Sequence, residues 1–187
     1  MPSPHGPPEL KHLDHVLVTA LAIKRRIAGL GDQLNAEYAS KDMMVVAIVN
    51  GALIFTADLL RSLRSPLRLD CLRASSYHAG TKATGEPRIV DQMKLDVRGQ
   101  HVLLVDDILD TGKTLAAVAC LIKTKGAASV KTCVLLDKKA RRMVPFEADY
   151  VGFEIPNEFV VGYGLDFNER YRNLPCIGVL KPKYYAG

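Results

Sequence analysis

The residues best suited to chemistry lie near the middle of the 187-residue chain, where an apolar stretch leads into Asp106 and Asp107. After two apolar residues the chain continues with Asp110, Thr111, Gly112, Lys113 and Thr114. Backbone N–H groups at the start of a helix, together with threonine hydroxyls, can surround a phosphate. Gly112 would let the backbone approach that phosphate closely. The segment therefore predicts a strand that ends at two carboxylates and is followed by a phosphate-binding loop.

The last three loop residues, Gly112 to Thr114, also match the end of a Walker A motif. That motif requires a glycine at position 107, where this chain has Asp107. Two carboxylates at the end of a strand would repel the β- and γ-phosphates of a nucleotide, but they suit sugar hydroxyls or a metal-bound pyrophosphate. We therefore expect a ligand that carries both a phosphate and a diol.

The elements that must position this loop follow the order of an α/β protein. Apolar runs predict strands at 43–49, 67–74, 102–105, 130–136 and 150–153. Helical spacing predicts one or two helices over 13–38, and further helices at 53–63 and 113–125, the last ending at Gly126. This order predicts a mostly parallel, twisted sheet flanked by helices. The polar span 77–87 predicts a mobile loop.

Composition sets broader limits. The proline-rich residues 1–10 predict a disordered tail, and residues 11–187 predict a single domain. No apolar run approaches the roughly 20 residues that cross a bilayer. The four cysteines form no Cys-x-x-Cys pair, so we expect buried, reduced thiols and a cytoplasmic location. The net charge of +5 suits an anionic substrate or weak nucleic-acid contact and does not decide between them.

The segment 101–114, HVLLVDDILDTGKT, resembles the phosphoribosyl-pyrophosphate (PRPP) motif of type I phosphoribosyltransferases. The resemblance implies that family's fold, with a small hood formed by the N- and C-terminal segments. It also implies that the loop holds the 5′-phosphate while Asp106 and Asp107 hold the ribose diol. An aspartate at position 110 is typical of family members that use 6-oxopurines, where it is proposed as the general base near N7. Considered alone, Asp110 could instead be a helix N-cap.

The segment 151–172, VGFEIPNEFVVGYGLDFNERYR, is similar to the purine-binding segment of hypoxanthine phosphoribosyltransferases. This implies that Phe159 stacks on the base, Val160 reads its edge through backbone atoms, Asp166 helps to hold Mg²⁺ and Arg172 contacts pyrophosphate. Lys138 matches a family lysine that donates to O6 of the purine. The residue types agree, because aromatic rings stack on bases and a guanidinium grips phosphate. Without that context Phe159 would be a core residue, and Arg172 and Lys138 surface charges.

The chain departs from the family pattern after the strand 43–49. Family members usually have Leu-Lys-Gly there, with a cis peptide before the glycine, whereas this chain has Val49-Asn50-Gly51. Gly51 is kept, so we expect Asn50 and Gly51 to form the turn that presents N–H groups to pyrophosphate, without the lysine's charge. Asp106 stands where many 6-oxopurine enzymes have glutamate. Ser76 and Tyr77 resemble the start of the family's active-site lid.

The resemblance thus implies Mg²⁺-dependent transfer of 5-phosphoribose from PRPP to hypoxanthine or guanine, with Asp106, Asp107 and Asp166 near the metal. The expected partners are PRPP and a 6-oxopurine, in a homodimer or homotetramer without nucleic acid or membrane. One alternative is a nucleotide-sensing regulator of the same fold that binds RNA or DNA. Another is a relative that prefers xanthine.

Overall fold

A six-stranded sheet forms the body of the protein, as seen in a computed structural model that describes residues 8–75, 78–79, 82–83, 88–89 and 93–185. The strands are β1 (Leu13–Val18), β2 (Met43–Val49), β3 (Arg68–Ser75), β4 (His78–Ala79), β5 (Lys82–Ala83), β6 (Arg88–Ile89), β7 (His101–Leu109), β8 (Ser129–Asp137), β9 (Tyr150–Glu154), β10 (Val160–Val161) and β11 (Ile177–Leu180). The helices are α1 (Ala20–Glu37), α2 (Leu53–Ser62) and α3 (Lys113–Thr124). Short 3₁₀ helices lie at Pro8–His12, Lys139–Arg141 and Pro182–Tyr184.

The strand order of the large sheet is β6-β3-β2-β7-β8-β9, with only β6 antiparallel to its neighbour. Alternate residues of β2 face opposite cores: Val45 packs with α1 and α2, whereas Met44 and Val46 pack with α3. This two-sided burial explains why the central strands are continuous apolar runs. The predicted mostly parallel sheet flanked by helices is confirmed.

A second, three-stranded antiparallel sheet has the order β1-β11-β10 and forms the hood. Its own small core includes Leu13, Val161, Leu174 and Leu180. The hood thus joins one segment from the start of the chain to two from its last third, as the family resemblance implied. The Tyr163 hydroxyl donates to the Asp58 carboxylate on α2, and this bond ties the hood to the body.

The expectation of helix throughout 13–38 is wrong for its first six residues, which form β1. Helix α1 begins only after Thr19, whose hydroxyl oxygen accepts a hydrogen bond from the Ala22 amide at 3.2 Å. The apolar spacing runs without a break across this cap, and the partner of β1 lies far away in sequence. Strand β7 is longer than predicted, because its pairing with β8 continues to Leu109.

Two smaller expectations also need correction. Pro8 to Leu10, expected in the disordered tail, belong to a 3₁₀ helix. All four cysteines are free, but only Cys133 and Cys176 are buried, whereas Cys71 and Cys120 are exposed. Gly126 has the left-handed φ of 89° expected after α3. Over the described ranges, no helix combines the length and apolar character needed to span a bilayer.

Candidate active site

The predicted site residues gather where β2, β7 and β8 end, beneath the hood. In open α/β sheets this edge is the usual ligand site, because the loops that leave parallel strands meet there. Asn50 and Gly51 follow β2, the loop 110–114 follows β7, and Lys138 follows β8. The parallel register of β7 and β8 aligns Leu109 with Asp137, so Asp110 and Lys138 leave neighbouring strands at the same level.

The predicted phosphate loop, 110–114, packs closely against the segment 142–144. Gly112 precedes α3 with a left-handed φ of 84°, a conformation that favours glycine. A Cβ atom at this position would lie 2.9 Å from Val144 Cγ2 and 3.1 Å from Arg142 Cδ, so packing as well as backbone conformation demands glycine. The Thr111 carbonyl accepts a hydrogen bond from the Met143 amide at 2.9 Å. The loop is therefore fixed from behind, while Lys113 and Thr114 open the helix.

Asp110 has a carboxylate oxygen suited to take a proton. Its Oδ1 is buried and makes no hydrogen bond to any described residue, and Arg141 Nε approaches it only to 3.4 Å. That contact is an ion pair without hydrogen-bond geometry. The N-cap position of α3 is Gly112, so the alternative role of Asp110 as a cap is wrong. A charge-supported carboxylate with an unused lone pair is suited to general-base chemistry.

Asp106 and Asp107 form a closely coupled acidic pair. Asp106 is buried, and its Oδ1 accepts a hydrogen bond from the Asp107 amide at 2.9 Å. Burial, followed by repulsion from Asp107, raises the pKa of Asp106 well above its usual range. Burial also raises the pKa of Asp107, although the hydrogen bond from Asp106 and the charge of Arg172 oppose this shift. The pair would therefore gain from a cation or from hydroxyl donors.

Gly51 and Gly164 bring the hood and the sheet into close contact. A Cβ on Gly51 would lie 1.9 Å from Asp107 Oδ2, and one on Gly164, where φ is 103°, would lie 2.2 Å from the Gly51 carbonyl oxygen. Arg172 donates to the Gly164 carbonyl at 2.9 Å and pairs with Asp166 at 2.9 Å. The predicted pyrophosphate-binding residues Gly51 and Arg172 thus lie in one cluster with Asp107 and Asp166.

The turn that begins this cluster matches the family resemblance in its backbone. The peptide bond between Val49 and Asn50 is cis. Asn50 is exposed, and its backbone carbonyl accepts a hydrogen bond from the Leu53 amide at 3.1 Å. Asn50 therefore lies at the solvent-exposed edge of the site. Ser76 and Tyr77, the predicted start of the lid, lie outside the described residues.

Three of the predicted base-binding residues lie together between β8 and the hood. Lys138 is only 6% exposed, and its ammonium donates to the Glu158 carbonyl at 2.8 Å, immediately before Phe159. Burial lowers the pKa of Lys138, and the nearby Asp110 carboxylate opposes that shift. Phe159 is half-buried, whereas the side chain of Val160 is buried in the hood, so a ligand could contact Val160 only through its backbone.

Arg142 emerges from the geometry as the residue that joins these parts. It donates to the carbonyls of Leu109 at 3.1 Å and Asp110 at 2.6 Å, and it forms a buried ion pair with Asp137. It thereby connects the ends of β7 and β8. The sequence gave no signal for the bonds from Arg142 to the Leu109 and Asp110 carbonyls, because these bonds depend on the register of two strands.

The carboxylates at this edge of the sheet suit a Mg²⁺ ion that is bound partly by the substrate. Among the described residues, no cluster of three or more His, Cys, Asp or Glu side chains could enclose a metal. Mg²⁺ is, however, usually held by one or two carboxylates together with substrate phosphates and water. The separate carboxylates of Asp107 and Asp166 near Arg172 match that pattern. The fit is therefore to a metal that shares its ligands with a phosphorylated substrate.

Comparison with known proteins gives the same class of protein as the resemblance of the segments 101–114 and 151–172. A family model described as the phosphoribosyl transferase domain matches residues 17–168, which include the loop after β7 and most of the segment 151–172. The hypoxanthine-guanine phosphoribosyltransferase of Streptococcus pneumoniae strain R6 is 47% identical over 171 residues, which cover 91% of this chain and 95% of that protein. The chain belongs to the phosphoribosyltransferase family, within its hypoxanthine-guanine group.

Two further relatives extend the comparison. A crystal structure of a hypoxanthine phosphoribosyltransferase from Staphylococcus aureus is similar with a TM-score of 0.90 and 42% identity, covering 95% of this chain and 97% of that one. The bifunctional protein TilS/HprT of Listeria innocua is 47% identical over 174 residues. The chain spans 27% of the length of that bifunctional protein.

Proposed function

We propose that the protein transfers 5-phosphoribose from PRPP to N9 of hypoxanthine or guanine and releases pyrophosphate. The observation that carries this proposal is the placement of Asp110 and Lys138 at one level on adjacent strands. The phosphate loop begins at Asp110, and Lys138 lies beside the hood segment that holds Phe159. A sugar phosphate and a base could therefore meet between a carboxylate and an ammonium.

Each group of residues has a separate task in this proposal. The loop Asp110–Thr114 holds the 5′-phosphate, and Asp106 and Asp107 hold the ribose hydroxyls. Asn50, Gly51 and Arg172 bind pyrophosphate. Phe159, Val160 and Asp166 form the base site, and Ser76 and Tyr77 begin the lid. These assignments rest on the family resemblance, and the contacts around Gly51, Arg172 and Lys138 support them.

Asp110 and Lys138 act on opposite parts of the purine. The Asp110 carboxylate, whose Oδ1 has no hydrogen-bond partner among the described residues, takes the proton that the base loses as N9 attacks the ribose carbon. Lys138 donates to O6, which favours oxopurines, because an adenine 6-amino group cannot accept from an ammonium. Water that entered during this step would hydrolyse the developing sugar cation, so a closing lid would protect the reaction.

Mg²⁺ is the cofactor we propose, held by Asp166, Asp106 and Asp107 together with oxygens of the substrate. When bound, it would act as a Lewis acid on the leaving pyrophosphate. The pKa values of the acidic pair, raised mainly by burial, support a positive charge at this place. Arg172 contributes a permanent positive charge to the same place.

The proposed assembly, ligands and location of the protein also follow the family resemblance. We propose a homodimer or homotetramer with PRPP and a 6-oxopurine as its ligands, without nucleic acid or membrane. A cytoplasmic location is supported by four cysteines that are all free.

The test is a spectrophotometric assay of hypoxanthine and guanine with PRPP, with and without Mg²⁺. We expect nucleotide and pyrophosphate to form in equal amounts and only when Mg²⁺ is present. No turnover under these conditions, together with tight binding of RNA, would instead identify a regulatory protein of the same fold.

A further inference from the structure

The ring of Phe159 is already part of an aromatic stack. Tyr185 lies against one face, with ring centroids 4.5 Å apart and an angle of 15° between the planes. Phe167 meets Phe159 edge-on at 5.5 Å and 86°. Both arrangements are the preferred geometries of aromatic pairs, which hold rings in defined orientations. The tilt of Phe159 is therefore set by two neighbours, and Tyr185 stacks against one of its faces.

The position of Tyr185 is built into the hood. The Leu180 amide donates to the Phe159 carbonyl at 2.9 Å, and the Lys181 amide donates to the His12 carbonyl at 3.1 Å. Three residues after Lys181, Tyr184 stacks on the His12 ring, with the ring centroids 4.3 Å apart. The turn Pro182–Tyr184 is thereby attached both to the base-binding segment and to the start of the chain, and it delivers Tyr185 to Phe159.

The Phe159 backbone also lies next to the O6 donor. Lys138 donates to the carbonyl of Glu158, the residue immediately before Phe159. A rotation of the Phe159 ring and backbone would therefore displace an acceptor that holds the lysine ammonium. A residue that packs against one face of Phe159 should therefore affect both the ring on which the base stacks and the position of the Lys138 ammonium.

We propose that Tyr185 is a positioning residue of the purine site. It packs on one face of Phe159, and the base stacks on the other, so that Tyr185, Phe159 and the purine form three parallel layers. This inference rests on the proposed function and adds to it a residue that only the three-dimensional fold brings to the site. Its effect falls on base binding, while the loop that holds the 5′-phosphate lies on another element.

The experiment compares Tyr185→Ala, Tyr185→Leu and Tyr185→Phe with the unmodified protein. Lys183→Ala, an exposed change in the same turn, is the matched control. We expect the alanine and leucine variants to raise KM for hypoxanthine by about 5-fold without changing KM for PRPP, because an aromatic pair is lost. Tyr185→Phe keeps the ring and should stay within about 2-fold of the unmodified protein. Calorimetric binding of IMP and the midpoint of thermal unfolding are measured for every variant.

The leucine variant keeps apolar volume next to Phe159, so it separates stacking from a general loss of packing. Unchanged KM for hypoxanthine and unchanged IMP affinity in a folded Tyr185→Leu protein would overturn the proposal. A lower KM would also overturn it, because Tyr185 would then occupy the place of the base. If the unmodified protein shows no turnover, the proposed function fails, and IMP binding alone still decides whether Tyr185 supports a purine site.

Discussion

At the scale of single residues, Asp110 is the group that we propose for the chemical step. Its Oδ1 has no hydrogen-bond donor among the described residues, and Arg141 lies 3.4 Å away. We expect Asp110→Ala to lower kcat by on the order of 10²-fold or more, because proton abstraction is lost. PRPP binding should be largely retained, since the loop N–H groups remain. Steady-state kinetics with calorimetric titration of PRPP measures both effects.

Asp110→Asn provides the matched control for this prediction. It keeps the size and polarity of the side chain but cannot accept a proton at neutral pH. Both variants should therefore be slow. Full turnover in either one would remove Asp110 from the role of base.

Lys138 should give the reaction a limit at alkaline pH. Burial lowers its pKa, so the ammonium loses its proton at a pH below the ordinary lysine value of about 10.4. In the proposed site, base binding needs the protonated form, so kcat/KM for hypoxanthine should decline as the pH rises through this lowered pKa. Lys138→Arg stays protonated over that range and should lose the decline. The same alkaline limb in the arginine variant would show that another group causes it.

At the scale of elements, Arg142 joins β7 to β8 through two carbonyls and the Asp137 carboxylate. Arg142→Ala would leave the Asp137 carboxylate buried without its partner. We expect it to lower the free energy of unfolding by about 3 kcal/mol or more, as measured by denaturant titration. Lys139→Ala removes an ion pair whose two partners are both 61% exposed and should change stability little. Equal stability of the two variants would contradict this assignment.

The contact between the hood and β2 depends on a glycine. Gly164→Ala would place a Cβ 2.2 Å from the Gly51 carbonyl oxygen at a φ of 103°. We expect the shift of the backbone to raise KM for PRPP at least several-fold, because Gly51 and Arg172 adjoin this point. Gly29→Ala in α1 meets no atom within 4 Å and should stabilise the helix by about 0.5–1 kcal/mol. Unchanged kinetics in Gly164→Ala would separate this contact from pyrophosphate binding.

The sequence predicted elements well where local patterns determine them. The apolar runs of β2 and β8 and the spacing of α3 identified these elements within two residues at each end. Strand β1 was predicted as helix, because its apolar residues continue the spacing of α1 and its partner β11 is far away in the chain. Hydrophobic spacing reports which face is buried, but it cannot report a pairing across the whole chain.

The site residues were also predictable only where a local motif identifies them. The loop after β7 and Lys138 carry recognisable local motifs, and the structure places them at one edge of the sheet. The contacts of Arg142 with the Leu109 and Asp110 carbonyls and of Tyr185 with Phe159 have no local signal, since they depend on strand register and on the docking of the hood. Residues that position the reacting groups were therefore harder to predict than the groups themselves.

For the whole molecule, the proposed mechanism assigns the sugar phosphate to the large sheet and the base to the hood. The large sheet supplies the phosphate loop and the acidic pair, whereas the hood supplies Phe159, Val160 and Asp166. The two parts meet where Gly164 touches Gly51 and where Tyr163 bonds to Asp58. Sugar transfer would therefore take place across the boundary between them, which suits a reaction that must bring a base to a ribose carbon.

The measurement that tests the central claim most directly is competition between bases. Hypoxanthine, guanine, xanthine and adenine are supplied together with PRPP and Mg²⁺, and the nucleotides formed are separated and quantified. The account predicts IMP and GMP as the main products, with adenine excluded because it cannot accept a hydrogen bond from Lys138 at position 6. XMP as the main product would mark a xanthine-preferring enzyme, and substantial AMP would contradict the role of Lys138 and with it the proposed base site.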